Sequence, residues 1–390
     1  MSTKKPPAKS SRALIISMLI GGIAGYAGVA LGMKTLPQWF DLAGFRKADL
    51  IWLLAMMPLS FFLAIAVHEL GHLVAALASG FRFRVLTLGP WSIIATRDRW
   101  QFRFSPSALA LLSGQQISSP PAGGASDRQF VVYLLGGGMA NLLHGALALW
   151  CASALAGSPV LVANLLVFAF FNLFLGVLNL LPLSTQAGVR TDGHQIRALL
   201  RGGDNAVRFR ALFDVVADMY AGVRPRNWSR DVINALGRGD VNELELLLAH
   251  LVRLQAGHDR GDIDEAARAA AQIEAQYEHV PVAMRGQYAA ELAYFFGVVI
   301  DDAAKARRYA DDILENSYLI SPATVHRGRA AALFAEGHLA EAMVEISHGL
   351  SVTGAATSEF DRVMEPEWLR GMQAVAERRQ ADASERSLNA

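Results

Sequence analysis

From Gln129 to Val189 the chain carries no Asp, Glu, Lys or Arg. Without water, a backbone that long satisfies its N–H and C=O groups only as helices or a closed barrel, and about 20 apolar residues of helix cross a hydrocarbon core of about 30 Å. The interruption Ala156-Gly157-Ser158-Pro159 divides the run into two spans, expected at 130–155 and 160–182. Two more precede it. Ala13 to Met33 is uncharged, and Leu50 to Gly80 contains one charge, Glu69, which gives spans at 13–33 and 50–79. The first span has a basic leader at residues 1–12, but its apolar run is longer than a signal core and lacks a small-residue cleavage site before Lys34, so it reads as a retained helix.

The whole-chain composition, 53% hydrophobic and 18% charged, averages two unlike parts. After Arg190 the sequence turns charged and alanine-rich with helical periodicity. The expected architecture is an all-α multi-pass membrane protein of about four transmembrane helices. A membrane-embedded domain over 13–200 precedes a soluble helical domain over 201–380, with a disordered tail at 381–390. A net charge of +1 offers no basic field for nucleic acid. The single cysteine, Cys151, excludes an internal disulfide and any multi-cysteine metal site. Basic residues collect in the leader and, as six arginines, between Phe81 and Arg128, so both termini are expected on the cytoplasmic side.

The one charge of the second span lies in Val67-His68-Glu69-Leu70-Gly71-His72, an H-E-x-x-H pattern. Residues four apart share a helix face, so His68 and His72 can present two imidazole nitrogens to one metal, with Glu69 beside them to take a proton from an activated water. Polar clusters inside a membrane span are costly and normally line a functional cavity, which weighs against a purely structural set of mutual hydrogen bonds. A catalytic zinc usually takes three protein ligands. The candidates for the third are His144 in the third span and Asp192 or His194 beyond the fourth; Asp192 lies at the membrane level where the second span carries His72.

H-E-x-x-H in one span, with Asn179-Leu180-Leu181-Pro182 and then Asp192-Gly193 two spans later, resembles the site-2 protease type of intramembrane metallopeptidase, peptidase family M50, over roughly residues 50 to 196. The resemblance implies His68, His72 and Asp192 as ligands of one zinc ion per chain and Glu69 as general base. It also implies a membrane-protein substrate with a transmembrane helix and an inner (plasma) bacterial membrane as the location. Gly137-Gly138-Met139-Ala140-Asn141 is similar to the family's G-P-x-x-N segment, with glycine where proline is common. Asn141 then helps to orient substrate or polarise the scissile carbonyl; the plainer reading is an asparagine bonded to neighbouring helices beside glycines that allow close packing. The chain departs from the family in two ways. Leu183 to Arg190 lengthens the distance from Pro182 to Asp192, and the outward loops are too short for a PDZ-like insertion.

Phe81 to Val85 and Trp100 to Phe104 alternate apolar and polar around Gly89-Pro90 and Thr96-Arg97-Asp98-Arg99, which predicts a small cytoplasmic β-hairpin or sheet near the site. Its edge would suit an extended substrate, its basic residues anionic headgroups. Ser118 to Ala125 reads as a flexible loop. In the soluble part, segments starting at Gly261, Gly297 and Gly337 repeat a turn followed by an alanine-rich helix, loosely similar to tetratricopeptide (TPR-like) repeats that bind a protein partner in a groove. The expected activity is hydrolysis of peptide bonds within or next to transmembrane segments, as in regulated intramembrane proteolysis. A non-catalytic receptor or scaffold working through the repeats is the alternative. A transporter would spread ionisable groups along a path, whereas these cluster at one level.

Overall fold

A computed structural model describes residues 47–388 except 97–98, 105–113, 122, 156–158, 185–188, 314–319 and 357. The expected leader and the span at 13–33 lie outside the described residues. Thirteen helices and one four-stranded antiparallel sheet make up what is described. Among the described residues, three helices are long and apolar enough to cross a membrane: α1 (Lys47–Ala78), α2 (Asp127–Ala154) and α3 (Pro159–Leu180).

Local chemistry sets their ends. Gly80, at φ 85°, terminates α1, and Phe81 N–H donates back to the Ala76 carbonyl. Ser126 and Gln129 cap α2 reciprocally, since Ser126 N–H donates to Gln129 Oε1 at 2.9 Å and Gln129 N–H returns to Ser126 Oγ at 3.4 Å. Pro159 opens α3 at the position where a missing N–H costs nothing.

The sheet follows α1 in the order β3-β2-β1-β4, from β1 (Arg82–Leu88), β2 (Trp91–Ala95), β3 (Trp100–Phe104) and β4 (Gly114–Ser119). Gly89, at φ 58°, and Pro90 close the two-residue β1–β2 hairpin, with Leu88 opposite Trp91. A register shift between Phe83 and Val85 frees Arg84 from the ladder. Its guanidinium bonds Ser119 Oγ at 2.8 Å and lies 5.4 Å from the Tyr220 ring centroid. The segment expected as a flexible loop from Ser118 therefore begins inside β4: Ser118 and Ser119 are buried, because pairing with β1 satisfies their backbone.

The remaining helices are α4 (Asp192–Arg201), α5 (Gly203–Ala221), α6 (Arg230–Ala235), α7 (Glu243–Arg260), α8 (Ile263–Ala275), α9 (Val282–Tyr294), α10 (Ala303–Asp311), α11 (Pro322–Ala335), α12 (Leu339–Ser351) and α13 (Glu359–Leu388). Three pairs, α7/α8, α9/α10 and α11/α12, pack as consecutive hairpins whose turns hold a left-handed residue at Gly261, Asp301 and Gly337. The middle turn falls on Asp301, inside the segment Gly297 to Ala303 expected from the sequence but not on its glycine. Gly297 instead lies in a π-helical stretch where a Cβ would come within 2.4 Å of the Ala331 carbonyl oxygen. Helix α13 runs through 381–388, where a tail was expected, on residues such as Ala, Glu and Arg that favour helix without packing.

The chain forms two compact units. Among the described residues, one contains 47–61 and 145–171, where the described aromatic packing is Phe61 edge-on to Phe171 at 5.3 Å and Phe170 beside Phe171. The other contains 62–144 and 172–390 and holds every residue of the site.

Candidate metal centre

His68 and His72 are one turn apart on α1 and both buried, with their Nε2 atoms 3.1 Å apart. Asp192, the first residue of α4, places Oδ2 3.3 Å from each of them. The hydrogen-bond partners assign the tautomers. His72 Nδ1 is 2.9 Å from the Tyr133 carbonyl oxygen, which only accepts, so the proton is on Nδ1. His68 Nδ1 is 2.7 Å from Asn141 Oδ1. The Asn141 amide cannot be turned round, because its Nδ2 donates to the Ala64 carbonyl and to Asn172 Oδ1, each at 2.9 Å. His68 therefore also carries its proton on Nδ1.

Both Nε2 lone pairs then face each other and a carboxylate oxygen that makes no hydrogen bond. Three acceptors converge in a buried place with no donor between them, which costs several kcal/mol unless a cation joins them. The spacing suits zinc: a tetrahedron with bonds of about 2.0–2.1 Å sets ligand atoms about 3.3–3.4 Å apart. Outer hydrogen bonds from both imidazoles complete the usual orientation of metal-binding histidines.

Close helix approach makes room for the cluster. At Gly137 an added Cβ would stand 2.4 Å from His72 Nε2, and at Gly71 it would stand 2.4 Å from the Gly136 carbonyl oxygen. Asp192 is delivered by the start of α4. Thr191 caps that helix, and its hydroxyl donates to the Leu181 carbonyl at 2.6 Å. Gly193 lies so close to Leu180 that a Cβ would meet its carbonyl oxygen at 2.0 Å. The long connection after Pro182 does not displace the aspartate, because Ser184 and Arg190 meet at an antiparallel bridge. Arg190 ties the loop to Glu245 at 3.1 Å.

Glu69 borders the site, covered by β4: a Cβ at Gly114 would come within 2.8 Å of its Oε1, and the Gln116 backbone lies beside its carboxylate. The Tyr133 hydroxyl donates to the Gln116 carbonyl at 3.2 Å. His144 is exposed, bonded to the Ala140 carbonyl, and neither it nor His194 joins the cluster. Asn141 is fully buried with both amide atoms engaged, one of them on His68. A second grouping, His326, Glu345 and His348, is more open, and His326 Nδ1 there is already paired with Glu345 at 2.6 Å.

Sequence reading missed Tyr133, which acts through its backbone, and Asn172, whose polar side chain within an apolar span was an available signal. The family model of peptidase family M50 matches residues 56–163. No curated protein and no solved structure matches the chain.

Proposed function

From the match of residues 56–163 to the model of peptidase family M50 and from three helices long and apolar enough to cross a membrane, we propose that this chain is an M50-type zinc endopeptidase that cuts membrane proteins within or next to their transmembrane segments. The observation that carries this reading is the donor-free convergence of His68 Nε2, His72 Nε2 and Asp192 Oδ2, with Glu69 alongside.

His68, His72 and Asp192 would hold the ion. When bound, zinc supplies Lewis acidity toward a water and the scissile carbonyl. Glu69 accepts the water proton and passes it to the leaving amine. Asn141 and the Tyr133 carbonyl hold the two imidazoles in the tautomer that faces the ligand position. Asn141 is accordingly a positioning residue in this reading.

A substrate peptide bond is open to attack only after it leaves helical hydrogen bonding, so preferred substrates carry Gly, Asn or Pro near the cut. The β4 edge beside Glu69 favours an extended substrate lying along the sheet, in place of the Gln116 contacts. Exposed Trp100, Phe102 and Phe104 on β3 suit the lipid interface. The hairpins α7 to α12 present a surface for a protein partner, with both termini on the cytoplasmic side of a bacterial inner membrane.

The test is Glu69→Gln, assayed on a model transmembrane-helix substrate beside metal analysis. Cleavage is expected to fall by about 10²–10⁴-fold with metal retained. A glutamine variant that cleaves normally would remove the base assignment, and a wild type that binds no metal and cuts nothing would favour a receptor acting through the helical domain.

A further inference from the structure

Two residues before Asp192, the side chain of Arg190 is 4% exposed and pairs with Glu245 of α7 at 3.1 Å. Its Nη2 also donates to the Asp240 carbonyl. Its Nε and Nη1 have no hydrogen-bond partner among the described residues. A buried guanidinium with so few bonds depends on its one close carboxylate, because removing either member of a buried pair leaves the other charge uncompensated. The Asp240 carboxylate, 82% exposed and 3.8 Å away, is a weak substitute.

The helical domain holds the receiving groups rigidly. Glu245 is the third residue of α7: its carboxylate accepts from the Asn242 N–H at 3.1 Å, and its own N–H donates to Asn242 Oδ1 at 2.9 Å, a reciprocal cap of the helix start. Arg208 of α5, with a side chain 5% exposed, approaches the second carboxylate oxygen at 3.5 Å and donates to the Arg238 and Asp240 carbonyls at 2.9 and 2.8 Å. Asn205 Oδ1 accepts the Asp240 N–H at 2.9 Å. Gly239, at φ 76°, turns that loop tightly against Asn205, where a Cβ would meet Oδ1 at 2.4 Å.

From Arg190 to the metal centre the path is two peptide units. Thr191 caps α4, whose first residue is Asp192. Thr191 and Gly193 seat that helix start against Leu181 and Leu180, and Arg190 ties it to α7. Metal–ligand distances tolerate only about 0.2 Å. A tie this near therefore bears on whether Asp192 Oδ2 stays 3.3 Å from both histidines.

We propose that Arg190 is a positioning residue for the metal centre: held by Glu245, it makes the helical domain keep Asp192 in place. This rests on the reading of His68, His72 and Asp192 as zinc ligands. The helical domain then reaches the site through one ion pair, so a partner that shifts the start of α7 shifts the third ligand.

The experiment uses the full chain in detergent, with zinc affinity read by chelator competition and ligand geometry by the visible spectrum of the cobalt(II)-substituted protein. Arg190→Met and Glu245→Gln should each weaken zinc binding by about tenfold, the low end of what losing an outer partner of a metal ligand costs, and should change the cobalt bands. The second substitution keeps an oxygen to cap α7 and removes only the charge. Arg190→Lys, which keeps the cation, should retain most of the affinity. Arg208→Met breaks the same buried cluster without touching the Asp192 connection, so it should lower thermal stability and leave zinc affinity and the cobalt spectrum unchanged. Wild-type affinity and spectrum in Arg190→Met, with the metal lost in Asp192→Ala, would overturn the proposal and leave the zinc reading standing. Equal weakening in Arg208→Met and Arg190→Met would also overturn it, since the cluster would then act through stability alone. A wild type that binds no zinc would remove the reading and the proposal together.

Discussion

The membrane part and the helical domain each bury a cluster of ionisable side chains, and they treat it in opposite ways. In the helical domain Arg327, fully buried, donates to Glu365 at 2.9 Å and to Glu291 at 3.0 Å, and its guanidinium lies 4.6 Å from the ring centroids of Tyr294 and Trp368. Thr324 completes Glu365 at 2.7 Å and Gln255 completes Glu291 at 3.1 Å. Donors and acceptors there meet one another, except that Arg327 Nη1 has no hydrogen-bond partner and lies among the aromatic rings. At the membrane centre the polar groups are satisfied on the outside only, by Asn141 and the Tyr133 carbonyl, while the inward atoms of His68, His72 and Asp192 are all acceptors. Burial of charge by itself is therefore no sign of a ligand site. A set whose unmet valence points inward is one.

Breaking the closed cluster should have the largest effect on folding and little on chemistry. Arg327→Met leaves two buried carboxylates facing each other without a cation and should destabilise the helical domain by about 3–5 kcal/mol. Adding Glu291→Gln and Glu365→Leu should return much of that, read by chemical denaturation, with cleavage per folded molecule unchanged. Gly137→Ala tests the opposite cluster, since its methyl would stand 2.4 Å from His72 Nε2. Even an ångström of displacement there should lower cleavage by about 10²-fold or more, while thermal unfolding of the helical domain stays in place. Asn141→Ala is the gentlest of the three: it removes the partner that fixes the His68 tautomer and should weaken zinc binding by about 10–100-fold. Metal titration of the purified protein measures this, and an unchanged affinity would show that His68 needs no such support.

Much of the membrane part was legible because hydrocarbon imposes strict rules on sequence. Uncharged length gave α1, α2 and α3 to within a few residues, and a helix period of 3.6 was enough to place His68 and His72 on one face. Strand β3 was read at its observed bounds from two-residue alternation. Strand β4 was not, because Gly114 to Ser119 is polar and runs into Pro120, so its identity depends on pairing with β1. The meeting of Asp192 with the histidines was suggested by membrane level and by motif order, and what secures it is long-range: the Thr191 cap, the Gly193 contact with Leu180 and the Ser184–Arg190 bridge. The middle hairpin turn lies inside the segment Gly297 to Ala303 read from the sequence, but it is an aspartate, Asp301, that adopts the left-handed conformation there, which Asp tolerates better than most residues. Tyr133 contributes a carbonyl and leaves no side-chain signal at all.

The central claim is that the inward-facing acceptors form a site for one divalent ion. Elemental analysis of the detergent-purified wild type beside Asp192→Ala tests it most directly. The account predicts one zinc per chain in the wild type and its loss, or ready removal by a weak chelator, in the variant. Full zinc occupancy in Asp192→Ala, or none in the wild type after zinc is supplied, would contradict it.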